Sequence, residues 1–195
     1  MTAQPKIYYT PEQYLEQERE AAYKSEYHNG EIFAMAGASP NHVRITANLT
    51  IETGIKLRGS SCRGYFSDLR LHIPETTLYT YPDLLVICGP NQYTDSKRDT
   101  VTNPTLIIEV LSKSTEAYDR GEKFSFYRRI PTLTEYLLID SQTVRAEVFR
   151  KGENDFWFLA SEAQSINESI YLASIDLTIS MPVAYADTED ILPVT

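Results

Sequence analysis

The chain has 195 residues and a mass of 22.2 kDa, with 42% hydrophobic and 23% charged residues, which excludes a disordered chain and supplies enough apolar surface for a core. Its formal net charge of -9 speaks against wholesale neutralisation of a phosphate backbone, which takes Lys and Arg. Residues 152–195 carry eight acids and no Lys or Arg, so all but one unit of that charge belongs to the C-terminal part.

No Gly/Ser-rich linker or internal repeat divides the sequence, and a single domain over 1–195 is expected. No basic region followed by an apolar stretch opens it, and no apolar run approaches the roughly 20 residues that span a bilayer. The expectation is no membrane partner and a cytoplasmic location. Cys62 and Cys88 read as buried thiols, in keeping with a reducing compartment.

In chain order, Thr10-Pro11-Glu12-Gln13 predicts a helix start, with Thr10 as N-cap, Pro11 at the first helical position and Gln13 completing a capping box; the helix runs to about Glu20. Asn29-Gly30, between two extended runs, predicts a β-hairpin, so helix and hairpin occupy about 10–35. Ser39-Pro40-Asn41 precedes a segment too long for an ordinary strand and predicts a second helix to Leu57. Gly64 to Ile73 alternates as one strand, ended by Pro74. DLLVIC and TLIIEVL are short apolar runs that predict fully buried strands. Residues 116–129 predict a helix stopped by Pro131. EYLLID and VRAEVFR predict two strands around Ser141-Gln142-Thr143, before an acidic, β-rich part over about 152–195. This order predicts an α/β (α+β) fold, a mixed β-sheet flanked by helices.

The chemistry is signalled where acids interrupt apolar strands. Glu109 sits inside TLIIEVL, where an ionised carboxylate is unfavourable by several kcal/mol unless paired or bound to a cation. Asp83 stands at the mouth of the preceding strand. Two carboxylates on neighbouring strands make a hard oxygen site suited to Mg²⁺. Taken alone, Glu109 also reads as a buried acid satisfied by an Arg or by backbone donors, and Asp83 as a turn residue after Pro82. Asp119, Lys123 and Tyr127 fall on one helical face and read equally as a helix ion pair with a core Tyr. Glu26 reads as a hairpin charge, and His42 as a capping or surface imidazole. Lys113, Arg120, Lys123, Arg128 and Arg129 make the segment mildly positive against Glu116, Asp119 and Glu122.

Pro82-Asp83 followed by Glu109-Val110-Leu111 resembles the PD-(D/E)XK nuclease motif, in which both acids lie on adjacent strands and a Lys comes two positions after the second. Leu111 stands where that Lys would be, and the resemblance moves its role to Lys123 on the following helix. Further runs carry the resemblance along the chain: Tyr9-Thr10-Pro11-Glu12-Gln13-Tyr14, Glu26 with Asn29-Gly30-Glu31, His42, Tyr81-Pro82-Asp83, Glu109-Val110-Leu111-Ser112, Asp119 with Lys123 and Tyr127, and Glu135-Tyr136. Together they are similar to the Uma2 family of putative restriction endonucleases, over roughly residues 9 to 180.

That resemblance implies a restriction-endonuclease-like fold and an endonuclease that hydrolyses phosphodiester bonds in nucleic acid, DNA being the expected partner. It implies Mg²⁺, replaceable by Mn²⁺, held by Asp83, Glu109 and the carbonyl of Val110. Lys123 would stabilise transition-state charge, with Glu26 as a further catalytic acid. A homodimer is expected, because cutting both strands takes two sites. The missing Lys at position 111 and the net acidity leave open a catalytically inactive nuclease-fold protein that acts as a binding module.

Overall fold

The structure is a computed structural model and describes residues 7–192; the opening six residues and the last three of the acidic C-terminal part lie outside it. Helix α1 (Pro11–Glu20) begins as expected: Thr10 Oγ1 accepts the Gln13 N–H, and Gln13 Oε1 accepts the Thr10 N–H in return. Strands β1 (Ser25–His28) and β2 (Glu31–Ala34) form the hairpin. Asn29 and Gly30 both take positive φ, 49° and 89°, which the tight turn requires. A Cβ at Gly30 would lie 2.8 Å from Tyr8 Cδ1, so the position is closed on two grounds.

Helix α2 (Pro40–Leu57) is capped by Ser39 and buries Ile45, Leu49, Thr53 and Leu57, one residue per turn along a single face. The expected single strand from Gly64 to Ile73 is in fact two, β3 (Cys62–Phe66) and β4 (Arg70–Ile73), which belong to different sheets. The break falls at 67–69, where the apolar spacing slips from two residues to three between Phe66 and Leu69, across the polar Ser67-Asp68 pair. Strands β5 (Leu78–Thr80) and β7 (Thr100–Val101) were not expected, being too short to carry a period. Between them lies β6 (Leu84–Cys88), followed after β7 by β8 (Leu106–Leu111), both buried as expected.

The expected helix over 116–129 is a composite of α3 (Glu116–Tyr118), a π-helical turn (Asp119–Lys123) and α4 (Phe124–Tyr127). Then come β9 (Glu135–Asp140), β10 (Ala146–Lys151), β11 (Trp157–Ala163), β12 (Ser169–Leu172), β13 (Leu177–Ser180) and the short α5 (Met181–Ala184).

The mixed α+β architecture holds, but with more than one sheet. Six strands run in the order β11-β10-β9-β8-β6-β3, five in the order β2-β1-β5-β4-β7, and β12 and β13 form a separate hairpin. Each of the two larger sheets is mixed, through the parallel pairs β8–β9 and β4–β7. The sheets pack face to face over Leu71, Ile73 and Leu78 on one side and Leu85, Ile107, Leu111 and Leu138 on the other, with Tyr127 of α4 among them. The outer face of the six-stranded sheet is covered by Ile45 and Leu49 of α2 and by Ile170, Leu172 and Ile179 of the small hairpin. Tyr14 of α1 packs on Tyr27 and Tyr79 outside the five-stranded sheet.

The cysteines differ from expectation. Cys62 and Cys88 face each other across the β3–β6 pair and form a disulfide. The register brings them together, which spacing along the chain does not disclose, and the thiol argument for a reducing compartment no longer applies. Among the described residues no helix is long and apolar enough to cross a membrane.

Candidate active site

Both acids singled out from the strands lie on one face. Leu84 pairs with Ile108 across β6–β8, so Asp83 stands opposite Glu109 one step further, and directly opposed residues project to the same side. The two are held together through the backbone: the Asp83 N–H lies 3.3 Å from Glu109 Oε2, and the Val110 N–H donates to Asp83 Oδ2 at 2.8 Å. Val110 thus enters the site through its amide hydrogen.

Lys123 comes from the π-helical turn, between the sheets. Its Nζ is 2.9 Å from Glu109 Oε1, 3.4 Å from Glu26 Oε1 and 3.5 Å from Asp119 Oδ1. Glu26 reaches it from the five-stranded sheet. Tyr27 faces α1, so its neighbour Glu26 faces inward, where Thr80 Oγ1 also donates to it. Tyr127, one turn beyond Lys123, donates its hydroxyl to Glu109 Oε1 at 2.6 Å. The four expected side chains, Asp83, Glu109, Lys123 and Glu26, therefore meet. Leu111 shares the face of Glu109 and packs into the apolar core between the sheets.

Burial dominates the electrostatics. It pushes the Glu109 carboxyl up to about 8, against the pull of Lys123 and with the help of Asp83 and Asp119. Asp119 is raised by the same burial, again against Lys123. Burial opposes the Lys123 ammonium, yet Glu109, Glu26 and Asp119 outweigh it and hold the amine well above its ordinary value. Lys123 is a fixed positive charge.

Two further residues belong to the site and were read differently from sequence. His42, taken as a capping or surface imidazole, places Nε2 2.9 Å from Asp83 Oδ1. Thr80 lies on a strand the sequence did not disclose. Of the basic residues expected nearby, Lys113 and Lys123 line the cleft, whereas Arg120 is tied to Glu116 and Glu147 and Arg128 lies over the Phe124 ring.

Glu26, His42, Asp83, Glu109, Asp119 and Lys123 open on a cleft of about 1740 Å³. Glu26, Asp83, Glu109, Asp119, Glu189 and Asp190 line it against Lys24, Lys113 and Lys123, leaving an excess of acid that would repel a polyanion unless a cation is added. Among the described residues no group of three or more His, Cys, Asp or Glu is arranged to hold a metal. Asp83 and Glu109 nevertheless fit a hydrated Mg²⁺, which is ordinarily held by one or two carboxylates and otherwise by water and substrate phosphate.

The sequence matches the Uma2 family model, described as a putative restriction endonuclease, over residues 11–182. The chain belongs to the Uma2 family. Two Synechocystis proteins, the uncharacterized proteins sll1609 and slr1290, are relatives. The first is 44% identical over 150 residues, 77% of this chain and 85% of the relative; the second is 38% identical over 181 residues, 93% and 92% respectively. A crystal structure of a putative nuclease belonging to DUF820 from Anabaena variabilis superposes with a TM-score of 0.70. It is 16% identical and covers 90% of this chain and 96% of its own, a likeness of fold. The Uma2 match embraces every residue of the cleft's charged centre, from Glu26 to Lys123.

Proposed function

We propose that this Uma2 protein is a divalent-metal-dependent endonuclease that hydrolyses phosphodiester bonds, with DNA as substrate. The observation that carries the reading is the 2.9 Å contact of Lys123 with Glu109, beside Asp83, in one open cleft. The motif's acids and a relocated lysine thereby stand together, which favours a working site over an inactive scaffold.

Asp83 and Glu109 would hold Mg²⁺, or Mn²⁺ in its place, with the Val110 carbonyl as the third oxygen that the fold resemblance implies. Once bound, the ion supplies charge against a phosphodiester oxygen and lowers the pKa of a water. Lys123 meets the charge that develops on the phosphoryl oxygens in the transition state, and because three acids keep it protonated it needs no proton from elsewhere. Glu26 and Asp119 hold that ammonium at the inner wall of the cleft. Tyr127 fixes Glu109 Oε1 by its hydroxyl, leaving Oε2 on the side of Asp83. A homodimer is the form that would bring two such clefts to the two strands of a duplex.

The test is cleavage of plasmid and linear DNA by wild type, Asp83→Asn and Glu109→Gln with Mg²⁺ or Mn²⁺ and with chelator. Metal-dependent nicking lost in both variants is the expected result. Nicking unchanged in Asp83→Asn would place the chemistry elsewhere, and a folded wild type that neither binds Mn²⁺ nor cuts would favour the binding module.

A further inference from the structure

The carboxylate of Asp83 is gripped at both oxygens. Oδ2 takes the Val110 N–H at 2.8 Å from the sheet, and Oδ1 faces His42 Nε2 at 2.9 Å from the first turn of α2. An ionised carboxylate only accepts, so Nε2 carries the hydrogen of this contact. The other ring nitrogen, Nδ1, is buried and has no partner among the described residues. A buried ring nitrogen left unpaired is unfavourable, and an apolar residue would avoid it.

Nor does the helix start need the imidazole. The His42 N–H is taken by Ser39 Oγ and its carbonyl by Thr46 Oγ1, both independent of the ring. Among the described residues the single polar contact of the side chain is Asp83. Its anchorage is rigid, because Ile45 and Leu49, on the same helix, are buried in the core against the sheet. The contact lies at the cleft, the side chains being 15% and 19% exposed, where an ion can reach Asp83.

We propose that His42 is a positioning residue for the metal-binding carboxylate. It holds Asp83 in the rotamer that presents oxygen to a divalent cation, and acts through Asp83 rather than on the substrate. The proposal rests on the reading of Asp83 and Glu109 as the metal site. An acid already fixed by helix and sheet loses little freedom when the ion arrives, whereas one released from His42 must be ordered at that moment. Loss of such an outer partner typically weakens metal binding about 10- to 100-fold.

The experiment is Mn²⁺ binding, by calorimetry and by electron paramagnetic resonance, to the full-length wild type and four variants: His42→Ala, His42→Phe, His42→Gln and Asp83→Asn. His42→Phe keeps the ring volume without a donor, so it remains informative where His42→Ala fails to fold. Both are expected to bind Mn²⁺ about 10- to 100-fold more weakly. His42→Gln, whose amide donates from nearly the same point, is expected to recover most of the affinity, and the bound Mn²⁺ to show no coupling to a histidine nitrogen. Wild-type affinity in His42→Phe, with binding lost in Asp83→Asn, would overturn the positioning role and leave the metal site standing. Nitrogen coupling in wild type would make His42 a ligand and also overturn it. Equal binding by wild type and Asp83→Asn would show that the metal site itself is misplaced, and the role of His42 would fall with it.

Discussion

Lys123 Nζ and Glu109 Oε1 stand 2.9 Å apart, the first delivered by a π-helical turn and the second by an interior strand of the six-stranded sheet. The contact explains how a nuclease-like motif tolerates Leu111. Two residues beyond Glu109 on the same strand face, the Leu111 side chain packs in the core between the sheets, and the π-helical turn lodged between those sheets brings the Lys123 ammonium to the acid instead.

Replacing Lys123 with Met keeps the length and removes the charge. Glu109, Asp119 and Glu26 then lose their cation, and breaking a buried pair in this way is typically destabilising by about 3–5 kcal/mol. Glu109 can relieve part of this by taking a proton, so the loss, read from denaturant midpoints, should be larger at pH 9 than at pH 6. Cleavage under saturating metal should fall roughly 10²- to 10³-fold. An unchanged rate in the folded variant would remove Lys123 from the mechanism.

Glu26 lies at 3.4 Å from Lys123 and shares it with two other acids, so its loss should be milder. Glu26→Gln keeps an acceptor for Thr80 Oγ1 and removes one charge-assisted contact, worth about 1.5 kcal/mol or roughly tenfold in rate where the contact persists in the transition state. Single-turnover cleavage measures this. A loss as large as that of Lys123→Met would give Glu26 a direct role at the phosphate or the ion.

The Cys62–Cys88 bridge closes a loop with a sequence separation of 26. By the chain-entropy argument a loop of that length contributes about 3–4 kcal/mol, most of it through the unfolded chain. Reduction, or Cys88→Ser, is expected to lower the denaturant midpoint accordingly, and unreduced native protein should titrate no free thiol. Two free thiols with an unchanged midpoint would refute the bridge.

His72 stacks on Tyr79 across β4–β5, ring centroids 3.9 Å apart, and burial lowers its pKa from 6.5 to about 4. The folded state therefore binds fewer protons than the unfolded one in this window. The stability it contributes is fully present above about pH 6.5 and is lost as the pH falls towards 4. His72→Gln should flatten the dependence of the midpoint on pH between those values. A wild-type profile that is already flat there would show the ring to be open to water.

Much of the secondary structure was legible locally. The capping box at Thr10 and Gln13, the Asn29-Gly30 turn and the Ser39 cap of α2 involve residues within four positions of one another, and each formed as its local chemistry requires. The single strand expected over Gly64 to Ile73 is broken because the apolar phase slips between Phe66 and Leu69, at a turn where the chain passes from one sheet to the other. The π turn over Asp119–Lys123 leaves no mark in the apolar period, because five residues are too few to separate an i to i+4 repeat from an i to i+5 one.

At the site, the need for a partner is a local property: an ionisable Glu109 inside an apolar strand is a conflict visible without any structure, and Asp83 at the strand mouth joined it through the family pattern. The family pattern pointed to Lys123 and Glu26 as their neighbours, but the contacts themselves come from long-range packing. The β6–β8 register sets Asp83 against Glu109, the packing of two sheets carries Glu26 to Lys123, and α2 brings His42 to Asp83. Those encounters, like the Cys62–Cys88 bridge, depend on register and layer order, which arise from the summed burial of many side chains and leave no local mark on the residues that meet.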